Sequence, residues 1–248
     1  GPAVVGILSA AVDPAAPLLV NAALALVLVP VFALHPLSPG PAGGEAPGSP
    51  EDTASMLRVL RSVWVPVAGM SMVGTYFGAT QTTVAATTVE LGSPGSGGLI
   101  YAVIGVGSAA TALTAVALPA RLELHTRVSL AATVMGLFTG LAALTLLGTA
   151  PGALWALGAL MLLSGAGVGI TLVSLFAIVG DDAPPAGVAV AMTAASAANV
   201  LGVAFGASLG GRVAESVWVG AGYFVSAAAC VVLATLLGAA GLRRRTAG

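Results

Sequence analysis

The sequence predicts an all-α fold, a polytopic helical bundle suited to a membrane. Three observations carry that prediction. Only 17 of 248 residues are charged, 8 basic and 9 acidic, or 7%, against about 25% in a soluble domain. Mean hydropathy is +1.05, and 58% of the residues are apolar, with 34 glycines besides. The apolar runs are long and continuous, whereas the strands of a membrane barrel alternate apolar and polar positions. So few charges cannot cover a water-soluble globule of this size, and such hydrophobicity excludes disorder.

A spanning helix takes about 20 mostly apolar residues. The first run, 1–11, is shorter and is broken by Asp13-Pro14. It reads as the tail of a helix whose start is missing. Residue 1 is Gly and no basic stretch precedes that run, so no signal peptide is expected and the chain reads as a fragment. Seven full spans follow, at 15–34, 63–89, 97–118, 128–148, 153–179, 186–210 and 217–240. Breaker clusters separate them, among them Gly92-Ser93-Pro94-Gly95, Thr149-Ala150-Pro151-Gly152 and Asp181-Asp182-Ala183-Pro184-Pro185. The stretch from His35 to about Asp52 holds Pro36, Pro39, Pro41, Pro47 and Pro50 among Gly and Ser, the composition of a flexible aqueous linker. The segment 53–62, with Arg58 and Arg61, is expected to form a short interfacial helix leading into the next span.

The arginines orient the chain. All eight basic residues are Arg. Arg58 and Arg61 precede the second full span, Arg121 and Arg127 lie between the third and fourth, and Arg243, Arg244 and Arg245 follow the last. Alternating topology puts these seven on one side and Arg212 alone on the other. The positive-inside rule then assigns the linker and the C-terminus to the cytoplasm. The Arg-only, Ala-, Gly- and Val-rich composition points to a GC-rich bacterial genome, hence a multi-pass protein of the bacterial plasma membrane.

Several function classes fall away. Net charge is −1, which gives no electrostatic case for nucleic acid. One cysteine, Cys230, and two distant histidines offer neither a disulfide nor metal-ligand spacing, and no cofactor is expected. No Ser/His/Asp or Cys/His set assembles at one depth, so the chain is not read as an enzyme. No ionisable residue occupies mid-span, which argues against a voltage sensor or a proton-pumping carboxylate chain.

What remains is uncharged. One span concentrates Thr75, Tyr76, Thr80, Gln81, Thr82, Thr83, Thr87 and Thr88. By helical spacing Gly74, Gly78, Gln81 and Ala85 share one face, and Tyr76, Thr80, Thr83 and Thr87 another. At least one of these faces is expected to line a wet cavity or a partner helix. Asn199 is the other mid-span amide, read as either cavity lining or an interhelical hydrogen bond, worth about 0.6 kcal/mol on average in membranes. Thr171 is a further cavity candidate. Glu90 is either a solvated helix-end carboxylate or a gating or proton-relay group. Small residues recur every four positions at Gly187, Ala191, Ala195 and Asn199, then at Gly202, Gly206 and Gly210. With Gly74 and Gly78 they allow close helix approach, either as static packing or as smooth faces for sliding or rocking.

The layout resembles the major facilitator superfamily, in particular the C-terminal half of a twelve-helix transporter. Gly1-Pro2-Ala3-Val4-Val5-Gly6 resembles the end of the exporter motif of helix 5, GPxxGG, with Val5 at the first Gly of the pair. The loop from Pro119 to Arg127 sits where the family repeats its cytoplasmic gating motif. Arg121 matches the first Arg, while Ala120 stands where Asp is expected and Glu123 where Gly is. The stretch from Ala183-Pro184-Pro185 through Asn199, Gly202 and Gly206 to Gly210-Gly211 is similar to helix 11 of drug- and sugar-efflux members.

The resemblance divides the chain into the end of helix 5 and helix 6 of the N-terminal half (1–34), a cytoplasmic linker (35–62), a six-helix C-terminal bundle (63–240) and a basic tail (241–248). It implies alternating access, with two halves rocking around a midplane site, and proton-coupled efflux of small, partly apolar molecules. Tyr76, Thr80, Gln81, Asn199 and Thr171 are then cavity candidates, and Glu90 and Arg121 gating or coupling candidates. The implied partners are the lipid bilayer, a small-molecule substrate, protons and the missing N-terminal half. A membrane-embedded structural or assembly subunit, or a truncated remnant, is the alternative. A seven-helix receptor would need a mid-span ionisable group that is absent, and a channel would need a filter-like loop.

Overall fold

The structure is a computed structural model that describes residues 16–34, 50–115, 122–147 and 152–247. Among them every regular element is helical. In chain order these are α1 (Ala16–Ala33), α2 (Pro50–Ser62), α3 (Trp64–Glu90), α4 (Gly97–Ala115), α5 (Leu124–Leu144), α6 (Ala153–Asp182), α7 (Val188–Ser216) and α8 (Gly222–Ala247). One-turn 3₁₀ segments, Pro94–Ser96, Pro185–Gly187 and Val219–Ala221, lead into α4, α7 and α8. Two of the breaker clusters place a glycine in the left-handed region. Gly92 (φ +70) follows α3, and Gly152 (φ +91) opens α6, a conformation that costs glycine nothing. The run 1–11, the linker up to residue 49 and Arg121 lie outside the described residues.

On length and composition, five helices can each cross a membrane. A sixth is added if α3 counts together with the end of α2, from which it bends by 67°. The span expected at 15–34 offers only Leu19–Val31 as its apolar stretch among the described residues. α1 stays out of the bundle, with Leu19, Leu26 and Val29 exposed.

The helices also outrun their apolar stretches. α5 starts at Leu124 rather than 128, α6 continues to Asp182, α7 to Ser216 and α8 to Ala247. Hydropathy marks where hydrocarbon ends, whereas a helix continues as long as its backbone bonds do. The basic tail is therefore the last turns of α8, and Arg243–Arg245 are held on a helix.

The bundle has an internal regularity. α3 packs on α7 and α8, α6 packs on α4 and α5, and α5 packs on α8. Exchanging α3 with α6, α4 with α7 and α5 with α8 leaves this set of neighbours unchanged. Helices three apart in an up-down bundle run in opposite directions, so the two three-helix units form an inverted repeat. Two apolar layers fill the centre. One contains Val63, Met70, Val73, Leu175, Ile178, Leu233 and Leu237. The other contains Tyr76, Met135, Leu157, Met161, Tyr223 and Cys230.

The tightest contacts are between backbones. A Cβ on Gly74 would overlap the carbonyl of Asn199, and one on Gly78 the carbonyl of Val203. From the other side, a Cβ on Gly202 would overlap the carbonyl of Ser71, one on Gly206 that of Thr75, and one on Gly210 would lie 2.8 Å from Ala79 Cα. Residue numbers rise together on both helices, so α3 and α7 run parallel. The equivalent pair repeats the pattern: Gly165 faces the carbonyl of Ile104, Gly169 that of Ser108, and Gly107 that of Leu162. Gly187 differs from the other stripe residues. Its neighbour is the Val59 side chain of α2, 2.5 Å from where a Cβ would stand.

These contacts separate glycines that must be glycine from those that need not be. Gly206→Ala is expected to destabilise the protein by about 1–3 kcal/mol, the usual cost of overpacking, because the obstructing atom is a backbone carbonyl. Gly158 also lies within a helix, but a Cβ there meets nothing within 4 Å. Gly158→Ala should be neutral or stabilising by about 0.5–1 kcal/mol. Denaturation midpoints of the two variants in detergent micelles check the contrast.

Candidate functional site

The residues singled out in the sequence separate into two environments. Tyr76, Thr80 and Thr171 are fully buried, and the structure places them inside helix contacts rather than on a cavity surface. Thr171 Oγ1 points to Met135 Sδ at 3.5 Å, between α6 and α5. Gln81 is exposed. Asn199 is half-buried, and its Nδ2 donates to the Met70 carbonyl at 3.2 Å, joining α7 to α3. Glu90, the last residue of α3, is exposed.

The threonines of α3 mostly satisfy themselves. Thr75 donates to the Ser71 carbonyl at 2.9 Å, Thr83 to Ala79 at 2.7 Å and Thr88 to Ala85 at 3.0 Å. Thr82 likewise donates to Gly78. Such back-bonding makes a hydroxyl acceptable in hydrocarbon, so threonine content alone overstates how wet a helix is.

Tyr76 and Thr80 belong to a closed network through the bundle centre. Tyr76 OH and Ser164 Oγ share a hydrogen bond of 2.7 Å, and Thr139 and Ser164 hydroxyls another of 2.8 Å. Ser164 donates to the Met135 carbonyl at 3.2 Å. A serine hydroxyl has one proton and two lone pairs, so Tyr76 and Thr139 both donate to Ser164, which is saturated. Thr80 Oγ1 donates to Ser226 Oγ at 2.9 Å, and Ser226 donates to the Tyr76 carbonyl at 3.4 Å. All five side chains are 0% exposed, and together they tie α3 to α5, α6 and α8. Sequence reading missed Ser164, Thr139 and Ser226. Isolated hydroxyls in apolar runs carry no periodic signal, and their partners come from other helices.

Gln81 differs from all of these. It follows Gly74 by seven residues and Gly78 by three, so it continues the face that packs on α7. The Asn199 backbone abuts that face at Gly74, and its side-chain amide lies at Met70, eleven residues or roughly 16 Å along the helix from Gln81. Gln81 has no hydrogen-bond partner among the described residues. It lies nine residues from Glu90, roughly 14 Å inside the helix end. The α6 surface carries exposed Trp155, Leu162, Leu163 and Val173. An open apolar groove of about 560 Å³ runs between α3, α7 and α8, bordered by Met72, Phe205, Leu209, Trp218 and Phe224.

The charges gather at the ends. One Arg244 guanidinium nitrogen reaches both Asp182 carboxylate oxygens at 2.7 Å. Arg245 bonds Glu123 at 2.9 Å and Thr126 at 3.0 Å. The end of α8 is thus tied to the end of α6 and to the start of α5. Among the described residues no cluster of His, Cys, Asp and Glu could hold a metal ion. Cys230 is a buried free thiol packed against Gly136.

The family model of the Major Facilitator Superfamily matches residues 1–207. The chain belongs to this superfamily. Comparisons with curated proteins and with solved structures gave no match. As a superfamily member the protein is a multi-pass membrane transporter rather than an enzyme. The superfamily nests inverted three-helix repeats in each six-helix half, and the pairing of α3–α5 with α6–α8 has that form.

The network supplies a test. Ser164→Ala leaves the buried Tyr76 and Thr139 protons without an acceptor. It is expected to cost about 1–3 kcal/mol, more than the membrane average of about 0.6 kcal/mol per interhelical bond. Adding Tyr76→Phe to Ser164→Ala should recover part of the loss, because it removes one orphaned donor. A double-mutant cycle on unfolding midpoints in micelles reads both effects.

Proposed function

We propose that this protein is a secondary active exporter of small, partly apolar molecules, coupled to protons and working by alternating access. Its α3/α7 seam would border the translocation path. The observation that carries the reading is Gln81, an exposed, unpartnered amide well inside a spanning helix. A polar group facing hydrocarbon without a partner is expensive, so this face is suited to water and substrate. Gly74, Gly78 and Ala85 share its helix face, and an isolated amide on an otherwise apolar face suits a pocket with a few polar groups. Asn199 is the second such group; its Nδ2 bond to Met70 leaves its amide oxygen available. A facing six-helix half, the N-terminal half of the usual two-half architecture, would complete the path.

Tyr76, Thr80 and Thr171 then act behind the path, holding α3 and α6 in place. Described charges lie toward helix ends in this bundle, so acids that couple protons would lie in the facing half. Glu90 and Arg121 are left as gating candidates. The arginine-rich end, with the linker and the end of α8, would face the cytoplasm of a bacterial plasma membrane.

Gln81→Ala and Asn199→Ala should lower efflux of at least one substrate roughly five- to tenfold, the scale of one lost hydrogen bond, with unchanged membrane abundance. Efflux from cells or proteoliposomes, measured at two imposed pH gradients, checks both parts of the proposal. Unchanged efflux in both variants removes the seam from the path. Indifference to the gradient removes proton coupling.

A further inference from the structure

The arginine-rich end of the bundle holds a recess of about 370 Å³ between α3, α5, α6 and α8. Its polar lining is Ser62, His125, Asp182, Arg243 and Arg244, and Trp64, Val65, Leu236, Ala239 and Ala240 form its apolar wall. We propose that this recess binds a phosphate anion, and that its natural occupant is the headgroup phosphodiester of an anionic phospholipid.

Three features point to that ligand. The first is an unused buried donor or acceptor: His125 is 4% exposed, lines the recess, and its Nε2 has no hydrogen-bond partner. Thr87, Trp218 and Tyr223 also hold a buried polar atom without a partner, but of these four residues only His125 lines this recess, where a bound group could supply one. The second is charge. Asp182 is neutralised by Arg244 at 2.7 Å, which leaves Arg243 as the uncompensated charge of the lining and sets a net charge of one cation. A phosphodiester carries one negative charge. The third is position. α8 passes from hydrocarbon to polar surroundings here, and the wall changes from Leu236 through Ala239 to Arg243. A headgroup lying at Arg243 would leave its acyl chains beside Leu236 and Trp64, which is 57% exposed. Basic recesses between spanning helices are where anionic headgroups dock, and a tryptophan at the interface suits the same depth.

This inference needs only that the bundle sits in a membrane. It does not depend on what is transported or in which direction.

The test uses the full chain purified in detergent. Native mass spectrometry titrates it with phosphatidylglycerol and with phosphatidylcholine, and thermal unfolding is followed with each lipid and with millimolar inorganic phosphate. Phosphatidylglycerol should be retained in preference to phosphatidylcholine and should raise the unfolding temperature. Arg243→Gln, at an exposed position, should weaken that retention about fivefold, the contribution of one basic group near a membrane surface, with the unfolding temperature of the lipid-free protein unchanged. His125→Gln keeps an amide in the recess and should retain more lipid than His125→Leu. Arg212→Gln, at the opposite end of the bundle, should change nothing. Stabilisation by inorganic phosphate that Arg243→Gln abolishes would keep the phosphate site and assign it a soluble occupant. Equal retention of the two lipids, or an equal effect of Arg243→Gln and Arg212→Gln, would overturn the proposal.

Discussion

Lipid gives apolar helices little reason to associate, since a leucine is as comfortable against an acyl chain as against another leucine. Close approach of backbones is what changes the balance, and the bundle depends on one such approach. α3 and α7 meet with Gly74 and Gly78 on one side and Gly202, Gly206 and Gly210 on the other. The pair α6 and α4 meets the same way through Gly165, Gly169 and Gly107. These two parallel pairs are equivalent under the inverted repeat. They bring α3 and α6, the two most buried helices, to the centre, where α5 and α8 close behind them.

Placing α3 and α6 centrally has a chemical consequence. Side chains on their inner faces have little access to water, so hydroxyls there rely on partners within the protein, although Thr87 Oγ1 finds none. Tyr76, Thr80, Thr139, Ser164 and Ser226 do so among themselves and with the Met135 and Tyr76 carbonyls. A saturated network of this kind has directional preferences that apolar packing lacks, so it fixes the rotation of each helix about its axis as well as its position. Gln81 lies on the same helix but beyond this network, at the edge of the α7 contact. Its exposure follows from the same rotation that buries Tyr76 and Thr80.

The sequence made some of this legible and hid the rest for identifiable reasons. Spacing groups Tyr76 with Thr80, Thr83 and Thr87, all of them buried, and Gly74 with Gly78 and Gln81. Periodicity defines a face but names no neighbour, so spacing left open a wet cavity or a partner helix for the face carrying Tyr76 and Thr80, which is bonded to Ser164 and Ser226. Ser164 stands alone among Leu, Gly and Ala, and nothing local distinguishes it from a serine bonded to its own helix. Apolar spans and helices end at different residues wherever charge begins before the helix stops, as at Arg243–Arg245 and Asp181-Asp182. The acids at that end contribute little to orientation, yet Asp182 and Glu123 are what bind the end of α8 to the rest of the bundle.

The sequence left open whether the glycine stripes serve static packing or smooth sliding, and the close backbone contacts at these glycines oppose sliding. If α7 screwed past α3 by one residue, advancing about 1.5 Å and rotating about 100°, the carbonyl-facing positions would be taken by Val203 in place of Gly202 and by Ala207 in place of Gly206. A valine Cβ would then stand where even an alanine Cβ overlaps a backbone oxygen. The pattern repeats every four residues, so a step of four would pair some glycines again, but it would break the Asn199–Met70 bond and place Arg212 a turn deeper. The Tyr76–Ser164 and Thr80–Ser226 bonds would have to be preserved at the same time, and they connect α3 to two other helices. Motion within the six-helix unit is therefore opposed at several independent points. Conformational change is far less costly if α3–α8 moves as one rigid body against whatever faces it. A rocking mechanism of that kind needs a stiff unit with an exposed face, and α6 carries exposed Trp155, Leu162, Leu163 and Val173 on such a face.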